Sequence, residues 1–369
     1  MGVPIASVFA AISVAVSSLL GGGTVPVPTT APARLPAAVI YSRAESITYT
    51  AKLPGFVRRS GAELLLDGEP FQFVGLNIYN ANNLGSCWYP LAMAASMNDA
   101  LSAIGPAQTV FRAWFFQPMA IRDGQLDWGA FDATLAAARA HDVRVIATLG
   151  NQYPDCERSS GANRTEAWYE AGYASDRDAG MIMTYRSWVA AVVARYGNDP
   201  TVLAWQLMNE AADPAGNGRC SRTAARTLKA FTEDMSTLIK SIDGNHLVSL
   251  GTLGVRECGT VGSDYQDVYS VANIDLCEVH DYGSPSDLSV LRQRMQQCHR
   301  LNKPMFIGEM GLMRGPTRAA ALRAKLAASF EAGVSGVLVW DWANADQVAY
   351  SGYEIQPGDP ALAVLASAL

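Results

Sequence analysis

The chain has 369 residues, of which 49% are hydrophobic and 17% are charged, and its formal net charge is −6. This composition is typical of a globular protein with one large domain or two small ones. The net negative charge and the lack of basic runs argue against a nucleic-acid partner. The four histidines show no HExxH or CxxC-type ligand spacing, so the sequence predicts no metal site. The pattern does not test for a site built from carboxylates alone.

The first 54 residues differ in composition from the rest of the chain. Residues 1–20 include the uncharged apolar stretch VPIASVFAAISVAVSSLL, and residues 21–54 form a linker rich in Gly, Pro and Thr. An apolar stretch followed by small polar residues predicts a signal peptide or an uncleaved membrane anchor. The alternative is a buried core helix, but it would stand alone before a Pro-rich linker. We therefore expect a secreted or cell-envelope protein.

Six cysteines lie in the remaining part of the chain, residues 55–369. An even number without metal-ligand spacing is typical of disulfides formed in an oxidising compartment. Free buried thiols are the alternative. The cysteine pattern therefore supports export.

From residue 55 onward, apolar runs alternate with amphipathic stretches. The segment LLLDGEPF (64–71) predicts a β-hairpin with Asp67 and Gly68 in the turn. Runs that are apolar almost throughout predict eight strands buried on both faces: 71–79, 109–114, 143–150, 201–209, 246–252, 274–280, 304–309 and 335–342. Apolar residues at helical spacing predict five helices between them: 131–142, 185–197, 222–243, 286–301 and 317–333.

Eight strands alternating with helices predict an α/β fold, a single (β/α)8 TIM barrel over residues 55–369 with a short N-terminal β-hairpin. A doubly wound open sheet is the alternative, but no GxGxxG motif or P-loop opens the first βα turn. Catalytic residues of such barrels lie at the C-terminal ends of the strands. Nine candidate side chains lie at these predicted ends: Arg112, Trp114, Asn151, Asn209, Glu210, His280, Tyr282, Glu309 and Trp340.

Two of these candidates, Glu210 and Glu309, end the fourth and seventh strands, which lie across the barrel mouth from each other. Two carboxyl groups facing one bond are what glycoside hydrolysis requires. A lone glutamate at a strand end, such as Glu210, is more often a charge at a helix N-terminus than a catalyst. A lone arginine such as Arg112 is more often a structural ion-pair partner, and a lone tryptophan such as Trp340 is more often a core residue. The joint pattern favours a catalytic site.

Several motifs in chain order resemble glycoside hydrolase family 5, a family of retaining enzymes. They are FRAW (111–114), WQLMNE (205–210), HDY (280–282), FIGEMG (306–311) and VLVWDW (337–342). The stretch 56–80 resembles the opening of β-mannanase-like and cellulase-like members. Two features depart from many mannanase-like relatives: Met208 stands where they carry Ala, and no Pro closely follows Glu210.

The resemblance implies that Glu210 is the general acid/base, kept protonated by a raised pKa, and that Glu309 is the nucleophile. Arg112 and Tyr282 would orient and ionise Glu309. Further implied substrate contacts are Asn209 at the 2-hydroxyl, His280 in the cleft wall and Trp340 as the sugar platform, with Trp114 and Asn151 at mannanase-like positions.

The implied function is a retaining glycoside hydrolase of the endo-β-1,4-mannanase type, acting on a β-linked polysaccharide or oligosaccharide. We expect a monomer that needs no cofactor and no metal. A β-1,4-glucanase, an exo-β-glycosidase and a transglycosylase remain alternatives. A carbohydrate-binding barrel without catalysis is disfavoured because both carboxylates are present.

The predicted strand order also pairs the cysteines. Cys87 and Cys156 lie in loops at the catalytic end, Cys220 and Cys258 follow strands four and five, and Cys277 and Cys298 lie in strand six and the next helix. We therefore predict the bridges Cys87–Cys156, Cys220–Cys258 and Cys277–Cys298. The aromatic residues of the insertion at 153–180 would either extend the sugar subsites or pack a loop core.

Overall fold

The computed structural model describes residues 55–83, 97–158, 161–284, 286–345 and 351–369. The predicted export segment and linker (1–54) and Cys87 lie outside the described residues. The described part contains an eight-stranded parallel sheet with helices between successive strands. The predicted (β/α)8 barrel is therefore confirmed.

The barrel strands lie within two or three residues of the predicted runs. In chain order they are β1 Phe73–Asn77, β2 Val110–Trp114, β3 Arg144–Thr148, β4 Val202–Gln206, β5 Leu247–Ser249, β6 Cys277–Asp281, β7 Met305–Gly311 and β8 Gly336–Trp340. The sheet order is β5-β4-β3-β2-β1-β8-β7-β6. A parallel bridge between Ser249 and Leu276 joins β5 to the start of β6 and closes the barrel.

Each strand is followed by a helix. They are α1 Met97–Ile104, α2 Gly129–Ala140, α3 Tyr185–Tyr196, α4 Ala224–Ile242, α5 Asp264–Tyr269, α6 Ser289–Arg300, α7 Arg318–Glu331 and α8 Pro360–Leu365. Shorter elements are the 3-10 helices Gly105–Ala107 and Gln117–Ala120, the π-helix Trp168–Gly172, the short α-helix Tyr173–Ser175, and the hairpin of Ile121–Arg122 with Gln125–Leu126. No helix among the described residues is long and apolar enough to cross a membrane.

The N-terminal hairpin has one more strand than the sequence predicts. Val57–Ser60 pairs antiparallel with Glu63–Leu66, which pairs in turn with Glu69–Pro70. The turn between the last two strands holds Asp67 and Gly68 at φ values of 53° and 89°. Positive φ at both central residues is the backbone of a type I′ turn, which suits the twist of paired strands and is favoured by an Asp-Gly sequence.

The barrel interior is apolar near the N-terminal ends of the strands. Val57 and Leu64 of the hairpin pack there against buried side chains that point inward from the strands: Phe73, Val110, Ile146, Leu203, Leu247, Leu276, Phe306 and Leu338. The hairpin thus covers the N-terminal end of the barrel, and the polar side chains described below lie at the other end, as in other barrels of this kind.

Three aromatic residues in the middle of the insertion after β3 are buried. Trp168, Tyr169 and Tyr173 pack against Phe231 of α4, with ring centroids 5.7, 5.0 and 5.0 Å from its ring. The structure therefore agrees with the loop-core alternative for this insertion, because these rings offer no open face to a sugar.

Candidate active site

Glu309 lies within β7 and is almost fully buried. Its Oε1 accepts a hydrogen bond from Arg112 Nη1 at 2.8 Å, and its Oε2 accepts one from the Tyr282 hydroxyl at 2.6 Å. Tyr282 is 38% exposed, so its ring borders the cleft although its hydroxyl contacts a buried group. Both oxygens of Glu309 are thus held in place by donors that favour the carboxylate form.

Arg112 of β2 is fully buried and is fixed by three further acceptors. Its Nε donates to Gln206 Oε1 at 2.7 Å, its Nη1 to Asn77 Oδ1 at 2.9 Å and its Nη2 to Asn209 Oδ1 at 2.7 Å. A guanidinium with this many partners is locked in one orientation. The position of Glu309 is therefore set through Arg112 by three strands of the barrel.

Glu210 follows β4 with its backbone in the left-handed region, at φ 53°. This conformation is uncommon for a residue with a side chain and is found preferentially at functional sites. The side chain is 17% exposed, and its Oε1 lies 2.9 Å from His280 Nδ1. The left-handed backbone at Glu210 therefore directs its carboxyl toward the site, where His280 and the hydroxyl of Tyr153 contact it.

His280 of β6 lies between the two glutamates. Its Nδ1 is 2.9 Å from Glu210 Oε1 and 3.3 Å from Glu309 Oε2, and its Nε2 is 3.3 Å from Glu278 Oε1. Burial alone would lower the pKa of His280, but the surrounding carboxylates Glu309, Glu210 and Glu278 raise it to about 10. The imidazole is therefore a cation at neutral pH, and both of its nitrogens donate.

The pKa values of the two glutamates differ in direction. Burial raises the pKa of Glu309 above its ordinary value, against the opposing effects of His280 and Arg112. Burial also acts on Glu210, but the hydrogen bond and charge of His280 outweigh it and lower the pKa of Glu210. The lowered pKa of Glu210 is opposite in direction to the sequence-based expectation, because the His280 cation lies nearer to Glu210, at 2.9 Å, than to Glu309, at 3.3 Å.

Carboxylate oxygens of Glu210 and Glu309 and a ring nitrogen of His280 lie within 4.8 Å of one another. Among the described residues this is also the group whose spacing would suit a metal ion. Arg112 and the His280 cation already neutralise these carboxylates, and the oxygens of Glu309 accept from Arg112 and Tyr282. The arrangement therefore favours proton transfer over cation binding.

The remaining predicted residues form an asparagine pair and an aromatic group near the glutamates. Asn209 is 6% exposed, and its Nδ2 donates to Asn151 Oδ1 at 3.1 Å, so that Asn151 holds Asn209 in place. Trp340 is half-buried and stacks on Tyr79 at 5.0 Å and 14°. Trp114 is 5% exposed and packs between Tyr79 and Phe116, so it supports this aromatic group from behind.

Four residues of the site were not among the sequence-predicted candidates. Asn77 and Gln206 hold Arg112, Glu278 contacts His280, and Tyr153 contacts Glu210. Asn77, Gln206 and Glu278 are polar residues inside strands that are otherwise apolar. That interruption was the signal in the sequence, because a polar side chain in a strand buried on both faces requires a buried partner.

Two of the three predicted disulfides lie within the described residues. Cys220 is bonded to Cys258, which joins the loops after β4 and β5, and Cys277 of β6 is bonded to Cys298 of α6. The third pair includes Cys87, which lies outside the described residues, so Cys87–Cys156 stays a prediction.

Comparison with known proteins gives one family. The sequence profile of the cellulase family, glycosyl hydrolase family 5, matches residues 66–346. Mannan endo-1,4-β-mannosidase 5 of Arabidopsis thaliana is 28% identical over 273 residues, and mannan endo-1,4-β-mannosidase 2 of Oryza sativa subsp. japonica is 28% identical over 326 residues. The first alignment covers 63% of this chain and 60% of the relative, and the second covers 74% and 70%.

Solved structures share the fold at lower identity. The endo-1,4-β-mannanase of Rhizomucor miehei superposes with a TM-score of 0.69 at 21% identity, covering 85% of this chain and 98% of that one. An endo-β-1,4-glucanase from Xanthomonas axonopodis pv. citri gives a TM-score of 0.55 at 18% identity, covering 81% and 99%. At these identities the likeness concerns the barrel fold.

Proposed function

The chain belongs to glycosyl hydrolase family 5, and from this premise we propose that it hydrolyses β-1,4-linked mannan with retention of anomeric configuration. Glu309 is the nucleophile and Glu210 the general acid/base. The observation that carries the proposal is the spacing of these two carboxyls, whose nearest oxygens lie within 4.8 Å. Retaining enzymes keep the two groups about 5–5.5 Å apart, whereas inverting enzymes need about 6.5–9.5 Å to admit a water.

In the first step, Glu309 attacks the anomeric carbon and Glu210 protonates the departing oxygen. Arg112 and Tyr282 donate to the two oxygens of Glu309, so they favour the ionised nucleophile and aim it. Glu210 needs a proton at this moment, and His280 Nδ1, at 2.9 Å, is placed to supply it. A sugar that displaces water favours this transfer, because a neutral Glu210–His280 pair is then less costly than an ion pair.

In the second step, Glu210 accepts a proton from water, and this water attacks the glycosyl–Glu309 ester. Two inversions at one carbon give net retention. Asn209 contributes a binding group, since an amide nitrogen carries two hydrogens and Asn151 uses one of them. Trp340, supported by Tyr79, offers the half-buried aromatic face on which the sugar stacks.

The mannan substrate is inferred from the curated relatives, which are mannan endo-1,4-β-mannosidases. The alternative is a β-1,4-glucan, favoured by the structural likeness to an endo-β-1,4-glucanase. The two sugars differ in the orientation of the 2-hydroxyl, which is the group that Asn209 is placed to contact.

The test is hydrolysis of manno-, gluco- and xylo-oligosaccharides by wild-type protein and by E309A. We expect manno-oligosaccharides to be cleaved fastest with a β-configured first product, and E309A to lose roughly 10⁴-fold or more of kcat. The matched control is E331A, which removes an exposed glutamate at the end of α7 and should leave kcat unchanged. An α-configured first product, or full activity in E309A, would refute the proposal.

We also infer that the chain acts outside the cytoplasm. Two disulfides among the described residues support this, because such bonds form and persist in oxidising compartments. A mass map of the non-reduced native protein with six free thiols would overturn the inference.

A further inference from the structure

Glu278 is a third carboxylate inside the barrel, and the mechanism above does not use it. It lies on β6 two residues before His280, so both side chains point into the barrel. The side chain is fully buried. The neighbouring strand makes room for it with Gly308, where a Cβ would lie 1.9 Å from Glu278 Oε1.

Each oxygen of Glu278 has its own partners. Its Oε2 accepts from Gln206 Nε2 at 2.5 Å and from Ser249 Oγ at 2.9 Å. Its Oε1 faces His280 Nε2 at 3.3 Å. Since a buried carboxylate without partners is strongly unfavourable, these contacts explain why the protein tolerates it there.

These contacts close a ring beneath the catalytic carboxyls. Glu309 accepts from Arg112, which donates to Gln206, which donates to Glu278, and Glu278 contacts His280, which returns to Glu309 and Glu210. The ring therefore links the nucleophile side of the site to the acid/base side by two routes, one through Arg112 and one through His280.

We propose that Glu278 is a positioning residue that accepts a hydrogen bond from Nε2 of His280, so that the imidazole can give its Nδ1 proton to Glu210 and remain neutral with its other hydrogen on Nε2. A carboxylate can only accept at Nε2, which therefore must be protonated. Without Glu278, the imidazole would be neutral with its single hydrogen on Nδ1, and it could not give that hydrogen to Glu210 without becoming an anion. The effect of Glu278 on catalysis rests on the proposed function. Its effect on the protonation of the His280 imidazole does not.

The charged and titratable groups around His280 and its two catalytic partners come from β2, β3, β4, β6 and β7 or from the loops that follow these strands. They are Glu278 on its own strand, Glu210 after β4, Glu309 on β7, Arg112 on β2 behind Glu309, and the hydroxyls of Tyr282 and Tyr153. Glu278 differs from the other two carboxylates in contacting only the nitrogen that points away from the cleft.

The first experiment measures the protonation of the two His280 imidazole nitrogens in the wild-type protein. Nitrogen-15 NMR of histidine-labelled protein at pH 8, with His280 assigned by the signal lost in H280N, should show both ring nitrogens protonated. An unprotonated Nε2 would overturn the proposal, whether or not the protein hydrolyses glycans.

The second experiment compares E278Q with wild type. The amide oxygen of the new Gln can still accept from Gln206 and Ser249, so its NH2 group faces Nε2, which then loses its hydrogen. We expect Nε2 of His280 to become unprotonated at pH 8, and kcat to fall while KM stays within about twofold of wild type. The alkaline limb of kcat/KM should move down by about two pH units or more from the wild-type His280 pKa of about 10, since one negative charge beside the imidazole is gone.

The matched control is S249A, which removes a donor to Glu278 but leaves the His280 contact in place. Its alkaline limb and ring protonation should equal those of wild type. If E278Q loses stability but keeps the wild-type ring signals and pH profile per folded molecule, Glu278 has a purely structural role and the proposal fails.

Discussion

Arg112 illustrates at the scale of one residue why the site needs a guanidinium. Four acceptors surround it, and each contact uses an N–H directed along the fixed fork of the group. A lysine ammonium carries a charge but cannot reach acceptors on three strands at once. The charge acts on Glu309, and the other N–H groups of the fork bind Asn77, Gln206 and Asn209.

Removing this charge should move the acidic limb of activity. Arg112 lowers the pKa of Glu309, so R112M raises it, and a higher pH is then needed to ionise the nucleophile. We expect the acidic limb of kcat/KM to shift upward in R112M and less in R112K, which keeps the charge. R112M should also lose about 3–5 kcal/mol of stability, because Glu309 Oε1 and three buried amide oxygens lose the donor they share. Unfolding in urea and the pH profile measure the two effects, and an unmoved acidic limb in R112M would contradict the assignment.

Residues in recognisable motifs were predictable, whereas Gln206 and Glu278 were not. Glu210 and Glu309 occur in short motifs at positions where a barrel places its catalytic groups. Glu278 and Gln206 lie inside apolar runs, where the pattern indicates a strand but not which polar side chains meet. Their contacts arise only when the barrel closes and places β4 and β6 on either side of β5, and this arrangement is not encoded in local sequence.

At the scale of elements, strands and long helices were predictable because each has its own apolar pattern. Helices α1, α5 and α8 have only six to eight residues, too few for a helical period to stand out. A capping signal was nevertheless present for α8. Asp359 accepts from the backbone N–H of Ala361, and Pro360 occupies the first helical position, a combination that favours a helix start.

The two described disulfides differ in access to solvent and should therefore differ in reduction. Cys220 is exposed, whereas Cys277 and Cys298 are fully buried between β6 and α6. We expect a graded increase in reductant to open Cys220–Cys258 before Cys277–Cys298. Alkylation of the released thiols and mass mapping of the fragments measure the order, and earlier opening of the buried pair would contradict the expectation.

Loss of the exposed bridge should cost stability through the unfolded chain. Cys220 and Cys258 are 38 residues apart, and closing a loop of this length stabilises the folded state by up to about 4 kcal/mol. The double variant C220S/C258S should therefore unfold at lower urea than wild type.

At the scale of the whole molecule, the N-terminal end of the barrel provides stability and the C-terminal end holds the candidate catalytic groups. Its N-terminal end is filled by apolar side chains and covered by the hairpin through Val57 and Leu64. Its C-terminal end contains the charged ring around Arg112 and His280. Burying these charges is unfavourable, so the apolar end must supply the free energy that keeps the polar end folded.

This separation predicts that hairpin variants change stability but not turnover. L64A removes a fully buried side chain from the N-terminal end, and we expect a loss of about 2–5 kcal/mol of unfolding free energy, because the cavity cannot close completely. The kcat per folded molecule should match wild type, since Glu210 and Glu309 lie at the opposite end. The control is E63A, an exposed neighbour on the same strand, which should change neither quantity. A lower kcat in L64A at equal folded fraction would show instead that the two ends are coupled through the strands.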